Sequence, residues 1–495
     1  MIINKSPITL LKSLGDKRLA QFHAERAFKN VKAYAHFLEG KGLTTLPAAF
    51  ETLPLMNKQN YLLASNYFEL LADDHHKETL YLRSSNLKNS FFWPQYNTTA
   101  MKGLLLRSYA ELNYNIYTAP TACIIAASLG SWAGGTSFAY YAENVSDITE
   151  YPFSVFTAGN NIDEIIEFIL KYEPLYEQFL LVLCPSFITY ILDTVDSLGL
   201  HAKFPFHKLR FSTLGEPFNE SFREHLDTLC CPAGAGVATS MLSIYGSADT
   251  DLLGAESQAS AAIRKLLYQD KSLATKMGYN GILPNFFHFY AIDYYIEEIG
   301  GDLCITKWQG IPLIRYNLHD SIQLYPWKEL RAFILAHRPD NDQNKALYDV
   351  IQDIGDHLPD IVALFGRSDS NLKLKGSLIA EVILDNVIQS KPLTEFLTGH
   401  YKASAEYDEH DHQYLRLLVE TKKSTKEPSP ELFQFLYQKI IEGLCDLQHE
   451  FKKDYEEIYK QFDQDPEKCV LRLGLCKWPE LSQELFKKTK RRGLV

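Results

Sequence analysis

Four short segments of the sequence concentrate residues that could hold a ligand. They are residues 215–217 (GEP), 245–249 (YGSAD), 315–320 (RYNLHD) and 366–369 (GRSD). A carboxylate such as that of Asp320 can accept two hydroxyl hydrogen bonds at once, and the hard oxygens of Asp249 suit a hard cation. Taken singly, each segment also fits a plainer structure: a turn at 215–217, a strand end with a turn at Gly246, and a surface ion pair for Asp320 or Arg367.

The order and spacing of these segments resemble those of the adenylate-forming ligases, and most closely the phenylacetate–CoA ligase-like branch. The resemblance covers residues 210–376. It implies ATP and AMP as bound nucleotides, Mg²⁺ as the metal and a small carboxylic acid as substrate. It also implies coenzyme A, or another acyl acceptor, as a further partner.

The resemblance assigns a role to each matching position. Asp320 and Arg367 would hold the ribose, Tyr245 would cover the adenine, and Asp249 would help to hold magnesium. Asp369 would be the hinge about which a C-terminal domain rotates between two half-reactions. The nucleotide-binding positions implied are Ser84, Ser85, Lys88, Gly215, Glu216, Pro217, Tyr245, Gly246, Ser247, Asp320 and Arg367.

The phosphate-binding loop departs from the family pattern, which is close to S-S-G-T-T-G-K-P. The corresponding stretch here is residues 84–91 (SSNLKNSF). Asn86 and Asn89 stand at the glycine positions, and asparagine is the non-glycine residue that best tolerates left-handed backbone angles. The hydroxyl positions hold Leu87 and Lys88, and a lysine supplies a point charge instead of shaped hydrogen bonds. The loop is therefore compatible with a weak or altered phosphate site, or with none.

Two further departures concern the end of the chain and the loop before the ribose-binding acid. The family's catalytic lysine, often in a pattern K-x-x-R, is matched by Lys488 with Arg491. A solvated basic tail fits residues 487–492 equally well. His319 stands where the family has a glycine, and we expect a structural role for it.

Length, composition and charge indicate a soluble globular chain of two or more domains. The 495 residues are 46% hydrophobic and 22% charged, with a formal net charge of −11. The acidic balance disfavours a nucleic-acid partner. The longest apolar stretch, residues 179–192, is too short to span a membrane and contains Pro185. No cysteines form a C-x-x-C pair and no signal peptide is recognisable, so we expect a cytoplasmic protein. A homodimer is compatible with these features.

The elements that must position the four segments alternate between strand and helix patterns. The predicted buried strands are residues 122–127 and 180–183, and the predicted helices are residues 162–170 and 186–198. Such alternation is typical of an α/β sandwich with largely parallel strands. Residues 303–306 and 313–316 predict a small antiparallel or barrel-like element that closes this domain.

Beyond Gly366 the pattern changes again. Residues 400–421 predict a β-hairpin with its turn at 408–412, a helix begins at Ser429 with a cap and a proline, and residues 446–468 predict an amphipathic helix. The predicted fold is therefore α/β. Its large adenylation domain, residues 1–365, combines an α/β sandwich with a small β-barrel-like element, and residues 366–495 form a small, mobile α+β lid domain.

The resemblance implies a ligase that activates a carboxylic acid with ATP to an acyl-adenylate and transfers the acyl group to a thiol such as coenzyme A. Two alternatives stay open. One is a catalytically degenerate protein of ligase fold that binds a ligand or a partner, which the altered phosphate loop favours. The other is transfer of the acyl group to a protein thiol or an amine.

Overall fold

The computed structural model describes residues 8–73, 79–83, 91–96, 99–148, 152–231, 238–279, 281–339, 344–368, 371–374, 377–408, 413–425, 429–463, 465 and 468–487. An N-terminal helical segment leads into a large sheet with helices on both faces, and a smaller α+β unit follows. This architecture confirms the predicted α/β class.

The N-terminal segment packs against one end of the large sheet. Its elements are β1 (Ser13–Leu14), α1 (Lys17–Asn30), α2 (Lys32–Glu39) and α3 (Tyr67–Leu70), followed by the hairpin β2 (Thr79–Arg83) and β3 (Phe92–Tyr96). The Asp16 carboxylate caps α1 by accepting the amide of Arg18 at 2.9 Å. Val31 is extended and separates α1 from α2.

Five parallel strands form one half of the large sheet among the described residues, in the order β5-β4-β6-β7-β8. The elements are α4 (Thr99–Tyr114), β4 (Thr121–Ile125), α5 (Ala133–Ile148), β5 (Phe153–Phe156), α6 (Ile162–Tyr172), β6 (Gln178–Leu183), α7 (Pro185–Ser197), β7 (Leu209–Leu214), α8 (Glu220–Cys230) and β8 (Met241–Ser247). Every residue of β4 and of β6 is buried, as expected of parallel strands covered on both faces. The strands and helices predicted for this region are confirmed.

The other half of the sheet is antiparallel and continues directly from β8. Its elements are β9 (Asp251–Ala255), α9 (Gln258–Gln269), α10 (Lys271–Lys276), β10 (Asn285–Phe289), β11 (Tyr294–Ile299), β12 (Asp302–Lys307), β13 (Leu313–Tyr325), α11 (Trp327–Ala336), α12 (Lys345–Asp353) and β14 (Ile361–Arg367). The strand order is β1-β11-β12-β13-β14-β10-β9-β8. The predicted antiparallel element is confirmed, and it extends the parallel half into one sheet of twelve strands within the described ranges.

The C-terminal unit is built on a three-stranded sheet, β17-β18-β19. Its elements are β15 (Asn371–Leu374), β16 (Ser377–Ala380), α13 (Glu381–Ile388), α14 (Lys391–Thr394), β17 (Leu397–Tyr407), β18 (Gln413–Thr421), α15 (Pro430–Leu447), α16 (His449–Asp454), β19 (Leu471–Lys477) and α17 (Glu480–Lys487). The predicted hairpin is β17–β18, and Ser429 caps α15 as expected. The amphipathic helix predicted at residues 446–468 is shorter, because α16 passes into a π-helical turn at Tyr455–Tyr459.

The hydrophobic cores separate the C-terminal unit from the rest of the chain. The buried members of its main core come from residues 372–471, whereas the four large cores around the twelve-stranded sheet draw theirs from residues 8–363. The boundary between residues 365 and 366 stays a prediction, although it falls in this interval. None of the described helices has the length and apolar character to cross a bilayer.

Helix α8 links the large sheet to the C-terminal unit at its first turn. The backbone amide of Asn219, the N-cap residue, donates to Oε1 of Gln389 at 2.9 Å. The Ser221 hydroxyl donates to the backbone carbonyl of Gln389 at 2.8 Å. One turn further, Glu224 pairs with Lys391 at 3.2 Å. The loop between β7 and α8 therefore contacts both units.

Candidate functional site

A cleft of about 450 Å³ opens where the parallel strands end. Its walls come from the segments that follow the carboxyl ends of β4, β6, β7 and β8, and from β13 and β14. In open α/β sheets this edge is where ligands bind. The cleft is lined by Lys58, Gln59, Arg83, Ala126, Ala127, Ser128, Trp132, Ala133, Gly134, Gly135, Ser137, Phe138, Asn160, Cys184, Ser186, Phe187, Leu214, Gly215, Glu216, Ile244, Gly246, Ser247, Ala248, Asp249, Asp251, Leu252, Tyr316, Asn317, Leu318, His319, Asp320 and Arg367.

The loop between β4 and α5 forms one wall of the cleft and depends on close backbone packing. A Cβ atom at Gly135 would lie 2.3 Å from the carbonyl oxygen of Ser128, so glycine is required there. The amide of Arg83 donates to the carbonyl of Ser131 at 2.6 Å, and its guanidinium lies 5.5 Å from the ring centroid of Trp132. These contacts fix the end of β2 at the mouth of the cleft.

Asp320 and Arg367 meet because their strands pair in register. They are directly opposed residues of the β13–β14 ladder. Their side chains are 3.6 Å apart, between Nη1 and Oδ1. The hydroxyl of Tyr245 donates to the other carboxylate oxygen, Oδ2. Burial, and then the charge of Asp320, raise the pKa of Tyr245 well above its ordinary value, so this hydroxyl stays a donor.

The ring of Tyr245 lies behind the cleft surface. It stacks on Phe289, with 5.6 Å between centroids and 20° between planes, and packs against Phe287. Its neighbours Ile244 and Gly246 line the cleft instead. Successive strand residues point to opposite faces, which explains the difference. The role of Tyr245 in covering adenine stays a prediction; in this structure the residue supports Asp320.

Asp249 lies in the cleft just beyond the end of β8. Its Oδ2 accepts the hydroxyl of Tyr316 at 3.0 Å, and its backbone carbonyl accepts Nε2 of the Gln309 side chain at 2.6 Å. No group of three His, Cys, Asp or Glu in the described ranges could hold a metal ion by itself. Mg²⁺ is often held by one or two carboxylates together with substrate phosphates, and the carboxylate of Asp249 fits that donor set.

Residues 215–217 directly follow β7 and lie in the turn that leads to α8. Gly215 has φ +79°, a left-handed angle that favours glycine. The carboxylate of Glu216 accepts the amide of Ser186 at 3.0 Å, at the start of α7. Gly215 and Glu216 line the cleft, and Pro217 follows directly. The turn therefore connects the carboxyl ends of β6 and β7.

His319 has a backbone role. Its φ is +57°, a left-handed angle that explains why the resembled family has glycine at this position. Its carbonyl accepts the Ser368 amide at 2.7 Å, which holds the end of β14 beside Asp320. Arg315 is buried and structural: it forms a bidentate pair with Glu297 at 3.0 and 3.2 Å.

Several cleft residues were missed by the sequence patterns. Lys58 and Arg83 bring positive charge to a protein that is negative overall, and such charge favours an anionic ligand. Asp251 brings a further carboxylate, and Tyr141 binds it. The motifs gave no signal for these residues, because each comes from a different element and only the fold brings them to one cleft.

Five predicted residues lie outside the described part of the chain. They are Ser84, Ser85 and Lys88 of the phosphate loop, Asp369 at the hinge and Lys488 near the end. Their roles stay predictions.

The fold of the chain is similar to the folds of a solved CoA ligase and a solved acyl acid amido synthetase. 2-Hydroxyisobutyryl-CoA ligase, in the postadenylation state in complex with R3-HIB-AMP, matches with a TM-score of 0.63 and 12% identity, over 97% of this chain and 88% of the other. The acyl acid amido synthetase AtGH3.15 in complex with 2,4-DB matches with a TM-score of 0.56 and 10% identity, over 97% and 91% of the two chains. No protein-family model and no curated protein sequence matches the chain.

Proposed function

We propose that this protein joins a carboxylic acid to the α-phosphate of ATP, forming an acyl-adenylate and releasing pyrophosphate. The observation that carries the proposal is the convergence of Asp249, Asp320 and Arg367 on one cleft from three separate parts of the sheet. Each stands at a motif position of the resembled ligases. The fold shared with a ligase bound to an acyl-AMP supports the same reaction.

The proposed roles follow from the chemistry of the groups. The Asp320 carboxylate has about four acceptor sites, so it can accept ribose hydroxyls while it keeps the Tyr245 bond. Arg367 supplies donors next to it. The segments at Gly215–Pro217 and at Tyr245–Ser247 would border the adenine. Catalysis would come mainly from holding the acid against the α-phosphate and from stabilising charge.

Charge stabilisation at the phosphates is assigned to the segment that follows Arg83 in the sequence. Arg83 lines the cleft, and Ser84, Ser85 and Lys88 come within the next five residues. We assign these three residues to binding the phosphates. We assign Lys488 to stabilising charge at the reacting carboxylate. Magnesium, held by Asp249, would neutralise phosphate charge.

For the second half-reaction we propose transfer to a thiol such as coenzyme A. The likeness to a CoA ligase favours it. The likeness to an acyl acid amido synthetase, over 91% of that chain, favours an amine as the second candidate. Adenylation followed by addition of coenzyme A or of a panel of amines separates the two by the product formed.

ATP–pyrophosphate exchange tests the first half-reaction. With a panel of acids, wild-type protein should exchange label, and Asp320→Ala should lower the rate at least about 100-fold, the effect of losing a charge-assisted contact. The matched control is Asp356→Ala, which removes an exposed carboxylate paired with Arg331 at 3.0 Å. Exchange that survives Asp320→Ala contradicts the ribose assignment. Absence of heat on titrating wild-type protein with ATP and Mg²⁺ favours the degenerate alternative.

A further inference from the structure

Asp251 occupies an unusual position in the cleft. It begins β9, directly opposite Ser247 of β8, and its φ is +63°, in the left-handed region that L-residues rarely adopt. Such angles persist where the surroundings over-determine them, and they cluster at functional positions. Asp251 is one of the residues that line the cleft.

Two buried lysines clamp the backbone on either side of Asp251. Nζ of Lys307 donates to the carbonyl of Thr250 at 2.8 Å, and Nζ of Lys102 donates to the carbonyl of Leu252 at 3.0 Å. Lys102 is 1% exposed and Lys307 is 5% exposed. Removing two ammonium groups from water costs free energy. The carbonyl oxygens of this short segment compensate part of that cost by accepting their hydrogen bonds. This arrangement fixes where the Asp251 side chain enters the cleft.

The Asp251 carboxylate keeps most of its hydrogen-bonding capacity. Among the described residues, the Tyr141 hydroxyl is its donor, at 2.8 Å from Oδ1 and 2.9 Å from Oδ2. One hydroxyl supplies one hydrogen, whereas a carboxylate offers about four acceptor sites. Among the residues that line the cleft, Phe138, Ile244 and Leu252 are apolar. A ligand here would need an apolar body and a donor group.

Asp251 also lies toward the opposite face of the sheet from Asp320. Tyr141, its partner, belongs to α5 and packs in the same core as Ile244. Tyr245, the partner of Asp320, points to the other face of β8, against the core around β11–β13. The reacting carboxylate of an acid must face the nucleotide, so the rest of the acid would extend toward Asp251.

We infer that Asp251 selects acids that carry a hydroxyl or amino group on an apolar skeleton, at the end remote from the reacting carboxylate. This inference rests on the proposed adenylation. A site built to accept a hydrogen bond strongly rejects an isostere that lacks the donor, because its polar group is then left unpaired. Tyr141 is a positioning residue that orients the carboxylate.

Matched acid pairs test the inference with the full-length protein. The pairs are 4-hydroxybenzoate with 4-methylbenzoate, and 6-hydroxyhexanoate with heptanoate. Each pair is measured by calorimetric titration of the acid and by kcat/KM for ATP–pyrophosphate exchange. In at least one pair the hydroxyl member should be favoured by at least about 100-fold in wild type. Equal values within both pairs overturn the inference, while exchange with either member leaves the proposed function standing.

Two substitutions at Asp251 respect its backbone angle. Asp251→Gly keeps the backbone, because glycine tolerates positive φ. It removes the acceptor, so the values for the two members of the preferred pair should come within about tenfold of each other. Asp251→Asn keeps a carbonyl acceptor and should keep part of the preference. A variant that needs more Mg²⁺ but keeps the wild-type acid preference overturns the inference and makes Asp251 a metal ligand.

The titration also separates failure of the inference from failure of the proposed function. If no acid supports exchange, the proposed function fails, and the binding data alone decide the inference. Tighter binding of the hydroxyl member that is lost in Asp251→Gly supports it. Equal binding of both members, or no binding at millimolar concentration, overturns it.

Discussion

Two groups of charged side chains lie beside strand β8, and they differ in how their charges are used. In the buried cluster, Arg223 pairs with Glu256 at 2.6 Å, Arg264 pairs with Glu220 at 3.0 Å, and no side chain of the four is more than 5% exposed. In the cleft, Asp320 is 12% exposed and Arg367 is 44% exposed, with 3.6 Å between them.

The difference separates charges that hold the fold from charges available to a ligand. In the buried cluster each charge faces an opposite charge, and Glu256 also accepts the amide of Ser243 at 2.8 Å. In such buried pairs the attraction between the charges roughly offsets the free energy of their desolvation. Removing one partner destabilises the fold strongly, because the other charge is then buried alone. The cleft charges are wider apart and partly solvated, so each stabilises the fold little and stays available to a ligand.

The largest effect is expected from breaking the buried cluster. Arg223→Met should lower the free energy of unfolding by about 3–5 kcal/mol, because Glu256 is then buried without its partner. The double variant Arg223→Met/Glu256→Gln should recover at least about 1 kcal/mol, since the Gln carbonyl still accepts the Ser243 amide. Urea unfolding measures both. A double variant less stable than the single one would contradict the pairing.

In the cleft, replacing an arginine by methionine should lower the activity and leave the free energy of unfolding nearly unchanged. Arg367→Met should change the unfolding free energy by less than about 1 kcal/mol and should slow pyrophosphate exchange about 10–100-fold, the worth of a hydrogen bond to a charged group. Arg338→Met, which breaks an exposed pair with Asp349, is the control and should leave exchange unchanged. A large loss of stability in Arg367→Met would place it with the buried cluster.

Asp193 belongs to neither group and should be stabilised by neutralisation. One of its oxygens is buried without a hydrogen-bond partner in the described ranges, and burial raises its pKa to about 6. The pKa of Asp193 in the folded protein exceeds the unfolded value of about 3.9. Its destabilising contribution is therefore complete above pH 6 and decreases as the pH falls toward 4. Asp193→Asn should therefore gain about 1–2 kcal/mol at pH 7.5, and the gain should vanish near pH 4. A gain that does not depend on pH would contradict this cause.

The smallest effect is expected at the contact between α8 and the C-terminal unit. Gln389→Ala removes the acceptor of the Asn219 amide and should cost about 1 kcal/mol, the usual worth of one neutral hydrogen bond. Gln438→Ala, at an exposed helical pair with Glu442, is the matched control and should cost less. Native-state hydrogen exchange at α8 is the measurement. Unchanged exchange would show that the contact does not hold the helix end.

The sequence predicted the fold where the hydrophobic periodicity of a segment agrees with the turn and capping residues at its ends. The parallel strands β4 and β6, the helix starting at Pro185 and the hairpin β17–β18 lie close to where their patterns put them, since each is encoded locally. The helix predicted at residues 446–468 is shorter in the structure, because α16 ends at Asp454 and passes into a π-helical turn. Local spacing does not contain that information.

The candidate site was predictable only where motif residues cluster along the chain. Asp249, Asp320 and Arg367 stand at motif positions of the resembled ligases, and they line one cleft. Asp251 and Tyr141 are 110 residues apart in sequence and meet only through the packing of α5 on β9. A left-handed aspartate clamped by two lysines has no sequence signature, because each of its contacts is long-range.

The position of β14 has a consequence for the order in which the chain can fold. This strand is the last of the large sheet to be synthesised, yet it lies between β13 and β10. Without it, the sheet formed by the described strands separates into one piece of four strands and another of seven. A nascent chain that has not reached residue 361 therefore carries two unpaired strand edges, which are ready templates for aggregation. The cleft residues Asp320 and Arg367 come together at the step that seals those edges, so completing the sheet and assembling the site are one event during biosynthesis.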